Sequence, residues 1–295
     1  MPGISVILNP SAGSAADLDD IVTRIGRLRG AEIRLTSKPG SAARLAKTAL
    51  RKGRELIIAA GGDGTLNEVI NGIGENLGDA AVGLIPLGTG NDFARTIGVP
   101  ADLEEAIDLI RAGETRAVDL VRVTSDAVRY FVNVSAGGFS GLVNEKLTAE
   151  LKKTWGPLAY LRSAAAALPE LRGYQTTLAF DNAESLRIEL YNVVVANGRY
   201  VAGGTLIAPE ASIDDGLLDI VLIPKRPATE LAVLAAQVAL GTHLSSETIV
   251  FRRASKLTVN SSPGMWFNVD GELVGNEPAR FEILSRALRF IAPKS

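Results

Sequence analysis

The stretch Ala59-Ala-Gly-Gly-Asp-Gly-Thr-Leu-Asn-Glu68 joins the apolar run Leu56–Ile58 to a helical pattern of Leu66, Val69, Ile70, Ile73 and Leu77. Glycines at a strand-to-helix turn let backbone N–H groups approach an anion beside the positive end of a helix dipole. A carboxylate inside such a loop, here Asp63, has a use if a divalent cation lies between it and phosphate oxygens. For the pentapeptide alone, a glycine turn with an aspartate cap is the plainer reading. Asp92, in Leu87-Gly-Thr-Gly-Asn-Asp92, and Asp119, in Val118-Asp-Leu-Val121, fall at or within the carboxyl ends of further inferred strands. Any one of them reads as a turn or cap residue. The set of three, gathered beside phosphate-cradling glycines, would bind Mg²⁺ directly or through its waters.

The second half of the chain offers other candidates. Ser212–Leu217 is a compact loop in which Asp215 and the carbonyls of Ser212 and Leu217 could hold a structural cation; a plain Asp-Gly turn fits the spacing nearly as well. Asn268-Val-Asp-Gly-Glu272 puts Asp270 and Glu272 on a turn, and an Asp-Gly hairpin accounts for that pattern by itself. His243, just beyond an apolar helix, suits a capping or packing role. The stretch Gly156–Leu168 reads as an ordinary core helix, with the lining of a lipid groove as the alternative.

These residues need elements to position them. Up to about residue 120, strand and helix alternate: Ile4–Leu8, a helix from Leu18 opened by a capping box of Ser14 and Asp17, and Ile33–Thr36 come first. A helix capped by Ser41 follows, then Leu56–Ala60, Leu66–Leu77, Val82–Pro86 and a helix capped by Asp102. Strict alternation implies a doubly wound parallel sheet with ligands at the carboxyl ends of its strands. Asn9, Thr36, Gly62–Thr65 and Gly88–Asp92 all fall at such ends. Beyond Val123 strand-like runs dominate, Arg280–Ile283 and Leu288–Ile291 among them, which read as mainly antiparallel and are broken by helical stretches near Leu142–Leu171 and Ala228–Leu240. Two domains are expected: an α/β nucleotide-binding domain over 1–123, and a β-rich substrate domain with added helices over 124–285.

Composition narrows the function. Lys and Arg total 31 against 33 Asp and Glu, so nothing argues for nucleic acid. The absence of cysteine excludes thiolate chemistry, and a single histidine argues against a Ser/His/Asp triad or a histidine metal cluster. No signal peptide or apolar run of membrane-spanning length stands out, so a cytoplasmic protein is expected.

Taken in order, Asn9-Pro-Ser-Ala-Gly13, Gly61-Gly-Asp-Gly-Thr65 with Asn67-Glu68, Pro86–Arg95, Asn133–Phe139, Ala196-Asn-Gly198 with Gly203-Gly204, Asp215–Asp219, Gly241-Thr-His243 and Asp270-Gly-Glu272 resemble the bacterial diacylglycerol-kinase-type lipid kinases. That family is related to diacylglycerol, sphingosine and ceramide kinases. The resemblance covers almost the whole chain and implies an N-terminal nucleotide-binding domain, a C-terminal β-sandwich, and a chain end, about 286–295, that returns to the first domain. ATP would contact Asn9, Pro10, Ser11, Ala12, Gly13, Thr36, Gly62, Asp63, Gly64, Thr65, Leu66, Asn67, Glu68 and Thr89. Asp63, Asp92 and Asp119 would organise the catalytic Mg²⁺, and Ser212, Asp215 and Leu217 a structural one. Asp270 and Glu272 match the general-base position, with Asp270 favoured. Gly90 departs from the small residue many members carry there. The implied partner is a lipid alcohol met by transient peripheral contact with the membrane, and a homodimer stays open. The alternatives are a kinase of a soluble alcohol or dinucleotide, since NAD kinases share Gly-Gly-Asp-Gly, and a non-catalytic nucleotide-binding protein.

Overall fold

The computed structural model describes residues 3–13, 17–138, 172–181, 184–269, 272–275 and 278–294. They form two compact units, residues 1–120 with 284–295 and residues 121–283. The helix expected near Leu142–Leu171, with the Gly156–Leu168 stretch, lies outside the described residues.

The first unit runs β1 (Ile4–Leu8), α1 (Leu18–Ile25), β2 (Ala31–Leu35), α2 (Ser41–Arg51), β3 (Leu56–Gly61), α3 (Asp63–Ile73), β4 (Ala81–Pro86), α4 (Asp92–Ile97), α5 (Leu103–Ala112) and β5 (Thr115–Thr124). The parallel order is β4-β3-β1-β2. The chain leaves β1 toward β2 on one side and returns with β3 on the other, so the topological switch lies between β1 and β3. Val6, Leu8, Ile58, Ala60 and Ile85 pack against Ile21, Ile25, Ile107 and Ile110 of the helices, the 3.6-residue stripes that the sequence shows.

Helix starts are set by specific acceptors. Asp17 caps α1 through the Asp20 N–H at 3.0 Å, and Asp102 caps α5 through the N–H groups of Glu104 and Glu105. Ser41, expected to cap α2, is instead its first residue. Gly40 occupies the cap position at φ 78, and the acceptor comes from α3: the Glu68 carboxylate takes the N–H groups of Gly40 and Ala42, both at 2.8 Å. The two helices also meet closely, because a Cβ at Gly72 would lie 2.2 Å from the Ala43 carbonyl oxygen.

The second unit contains β6 (Val128–Phe131), β7 (Val134–Gly138), β8 (Tyr174–Phe180), β9 (Ser185–Ala196), β10 (Tyr200–Val201), β11 (Thr205–Leu206), β12 (Leu218–Pro224), α6 (Ala228–Ala239), β13 (Val250–Ala254), β14 (Lys256–Ser262), β15 (Phe267–Val269), β16 (Glu272–Val274) and most of β17 (Ala279–Ile291). Its pairings are antiparallel. β9 spans twelve residues: its first half pairs with β8, its second with β7 and β12. One face carries the larger core, with Val193, Val195, Ile220, Phe267 and Phe281. The other carries Val194, Ala196 and Val221 beneath Leu234 of α6. Arg280–Ile283 and Leu288–Ile291 read as two strands in the sequence, yet they belong to the single β17, bent at Arg286 (φ 50). Its start pairs with β14, and Phe290 pairs with Val82 of β4 in the first unit.

His243 is fully buried in a 3₁₀ turn, its Nε2 2.7 Å from the Ile207 carbonyl oxygen; its Nδ1 finds no hydrogen-bond partner among the described residues. Burial pushes its pKa below the ordinary value, against a smaller opposing effect of the Ile207 carbonyl. The unfolded chain therefore takes up the proton first. The His243 contribution to stability is intact above about pH 6.5 and falls by up to about 1.4 kcal/mol per pH unit as pH drops toward the folded-state pKa. Urea unfolding across this range is expected to show a steeper loss toward acid in the parent protein than in His243→Gln. Equal slopes would remove the imidazole from the acid response.

Candidate active site

Four loops leave the carboxyl ends of β1 to β4, and short side chains lace them together. Asn9 donates from Nδ2 to Thr65 Oγ1 at 3.2 Å, while its Oδ1 accepts the Ser11 N–H at 3.0 Å and the Thr36 hydroxyl at 3.4 Å. Thr65 packs over Gly61, where a Cβ would lie 2.4 Å from its Oγ1. A Cβ at Gly88 would lie 2.5 Å from the Gly62 Cα, and one at Gly13 would lie 2.6 Å from Thr89 Cγ2. The glycines at 13, 61 and 88 are thus required by close approach of backbone to backbone or to threonine.

Asn91 and Asp63 complete the arrangement. Asn91 stands at the N-cap of α4 with φ 51, but its side chain turns back onto Gly88, accepting its N–H at 3.0 Å and donating to its carbonyl at 2.6 Å. The α4 amides take another acceptor. Both Asp63 carboxylate oxygens receive them, Oδ2 from the Asp92 N–H and Oδ1 from the Phe93 N–H, each at 3.1 Å. Asp63 therefore opens α3 and caps α4, tying the Gly62 loop to the Gly88–Asp92 loop.

The other expected nucleotide residues separate into kinds. Pro10, Ser11, Ala12 and Gly13 form the loop after β1, and Gly64 faces open space where a Cβ would meet nothing within 4 Å. Leu66 and Asn67 are buried in α3, and the Glu68 carboxylate is engaged at α2. Asp119 is mid-strand in β5, fully buried, and accepts the Arg286 N–H at 2.6 Å. Among the described residues no three acidic or histidine side chains converge on a point that could hold a metal ion. Asp63 and Asp92 are brought together; Asp119 is not brought into one cluster with them. Sequence reasoning missed Asn91, whose signal is an asparagine beside Gly90 at a turn that needs a left-handed residue.

In the second unit, Asp215 Oδ1 accepts the Leu217 N–H at 3.0 Å, and Ser212 donates its hydroxyl to Asp214 at 2.8 Å. Arg253, which no sequence signal singled out, bonds Asp215 Oδ2 at 2.5 Å and reaches the fully buried Asp219, Nε to Oδ1 at 3.4 Å. Burial pushes the Asp219 carboxyl up to about 6 against the pull of Arg253. As the side chains stand, Asp215 accepts from the Leu217 N–H on one oxygen and from the Arg253 guanidinium on the other. Arg253→Ala is expected to cost about 2–3 kcal/mol in urea unfolding, less than for a fully buried pair because Arg253 is partly exposed. A rise in the midpoint with Mg²⁺ alone that Asp215→Ala abolishes would mean that a divalent ion binds at this loop. Asp270 lies outside the described residues, as does the side chain of Glu272; β15 and β16, on either side, form an antiparallel hairpin.

The chain thus joins a parallel sheet with laced glycine loops at its switch point to an antiparallel β unit. Residues 3–123 match the diacylglycerol kinase catalytic domain family, and residues 133–292 match the YegS C-terminal NAD kinase beta sandwich-like domain family. The chain is 33% identical over 98% of its length to a diacylglycerol kinase of Staphylococcus haemolyticus, 88% of which is covered. It is 35% identical over 88% of its length to one of Staphylococcus epidermidis, 81% of which is covered. A crystal structure of a candidate diacylglycerol kinase from Bacillus anthracis superposes with a TM-score of 0.84 at 26% identity, covering 99% of this chain and 95% of that one. The chain belongs to the diacylglycerol kinase family.

Proposed function

We propose that this kinase transfers the γ-phosphoryl group of ATP, with Mg²⁺, to the primary hydroxyl of a lipid such as diacylglycerol, phosphatidylglycerol or a sphingoid base. The observation that carries the nucleotide half is the lacing of four loops around the β1/β3 switch, where close-packed glycines bring backbone together and Gly64 faces open space at the start of a helix. The residues fit the group: the Asn9–Gly13, Gly62–Thr65 and Gly88–Thr89 loops would hold the nucleotide, and Asp63 and Asp92 stand beside them. Mg²⁺, when bound, neutralises charge developing on the transferred group. Asp63 keeps the two phosphate-side loops in register through the α4 amides, and Asp270 or Glu272 would take the proton from the acceptor hydroxyl. The acceptor half rests on relatives named diacylglycerol kinase that match nearly the full chain.

No helix among the described residues is long and apolar enough to cross a membrane, so a lipid acceptor implies peripheral contact. The test is incubation with labelled ATP and either a total lipid extract or NAD. Label in a lipid is expected. Label in NAD alone would move the protein to the dinucleotide kinases, and nucleotide binding without any transfer would leave a binding protein.

A further inference from the structure

Cross-strand partners share a face of a sheet, which sorts the exposed apolar residues of the second unit. Asn268 pairs with both Leu273 and Ala136, and Ala136 pairs with Val194, which lies in the core beneath α6. Trp266, two residues before Asn268 and bonded through its carbonyl to the Gly138 N–H, continues the same alternation. Trp266 (49% exposed) and Leu273 (62%) therefore stand on the side of the sheet that α6 covers, away from the larger core. α6 is itself apolar on two sides: Leu234 packs on the sheet, while Val233 (57% exposed) and Leu240 (77%), seven residues apart, form an outer stripe. At its start an open groove of about 720 Å³ is walled by Tyr191, Pro224 and Pro227 with Lys225 and Arg226. Lys225 pairs with Glu189 at 2.8 Å and Arg226 with Glu230 at 3.9 Å, and exposed Arg187, two residues before Glu189 on the same strand, leaves three cations against two carboxylates.

We propose that this side of the second unit is a docking surface for an anionic phospholipid bilayer, with Val233, Leu240, Trp266 and Leu273 in the acyl boundary and Arg187, Lys225 and Arg226 toward the phosphates. A bilayer suits the combination: leucine and valine without a polar partner, a tryptophan whose ring has one apolar and one polar end, and a rim of excess positive charge. Trp266 immediately precedes β15 and Leu273 lies on β16, the two strands that flank residues 270 and 271, so docking would bring the hairpin with the candidate base to the surface where a lipid hydroxyl lies. The inference thereby deepens the lipid-kinase reading and rests on it.

The test uses the full chain carrying Trp155→Phe, which leaves Trp266 as the sole tryptophan of the two in the sequence. Vesicles of phosphatidylcholine with a share of phosphatidylglycerol are expected to shift its emission to the blue, and brominated acyl chains to quench it. Val233→Gln with Leu240→Gln and Leu273→Gln is expected to weaken vesicle partition on the order of 100-fold, about fivefold for each substitution. Turnover of a short-chain, monomeric diacylglycerol by the same variant is expected to stay near the parent's, which reports a folded active site. Undiminished partition by the variant, or an unshifted tryptophan, would overturn the proposal. So would a concentration-dependent dimer in ultracentrifugation that the same substitutions disperse, since the face would then belong to a second copy. If the parent phosphorylates no lipid yet docks as expected, the kinase reading fails and the docking surface stands.

Discussion

Asp63→Asn is expected to lower phosphoryl transfer about 10²–10³-fold at saturating ATP and Mg²⁺, the usual cost of losing one placed charge-stabilising group. The geometry gives the reason. Asp63 receives two backbone N–H groups at the start of α4, one on each oxygen. An asparagine can accept one of them, but its amide nitrogen would face the other, and the negative charge at the helix N-terminus is gone. The Gly88–Asp92 loop then keeps one of its two bonds to the Gly62 loop, and the charge of the carboxylate is lost. The folded state should lose only about 1 kcal/mol, the worth of a cap. Thermal unfolding and turnover measured together separate the two effects. Turnover within a factor of two of the parent would leave Asp63 a helix cap and nothing more.

The second large effect is expected on the turn between β15 and β16. An amide at the general base should lower turnover about 10²–10⁴-fold while ATP affinity survives, since a base acts on the acceptor proton and the nucleotide is proposed to sit on loops of the first unit. Asp270→Asn is expected to show this loss. Glu272→Gln should cost less and displace the acid limb of the pH profile, as fits a neighbour that orients or relays the proton. Measuring ATP affinity by calorimetry and turnover by label transfer for each variant distinguishes the roles. A larger loss in Glu272→Gln reverses the assignment, and full activity in both takes the turn out of the mechanism.

What the sequence determined by itself was periodic or local. Alternating strand and helix up to Ala112, apolar stripes at 3.6 residues, the cap at Asp102 and the glycines of the Gly61–Thr65 turn each depend on neighbours a few residues away. The antiparallel character of the second unit was legible in the same way. Tertiary structure decided the rest, because the deciding partners are distant in the chain. Glu68 sits in the motif that the resemblance assigns to the nucleotide, and no local pattern shows that Gly40 and Ala42, 26 to 28 residues away, donate to its carboxylate. Asp119 reads as the end of a strand until Arg286, 167 residues on, donates to it in mid-strand. Arg286 also bends β17 at a positive φ, so one strand looked like two. Arg253 had no signal at all, since only the pairing of β12 with β13 sets it opposite Asp219. A side chain's chemistry is written in its residue type, but which groups it meets is fixed by register and packing, where a buried polar group must take the partner the fold supplies.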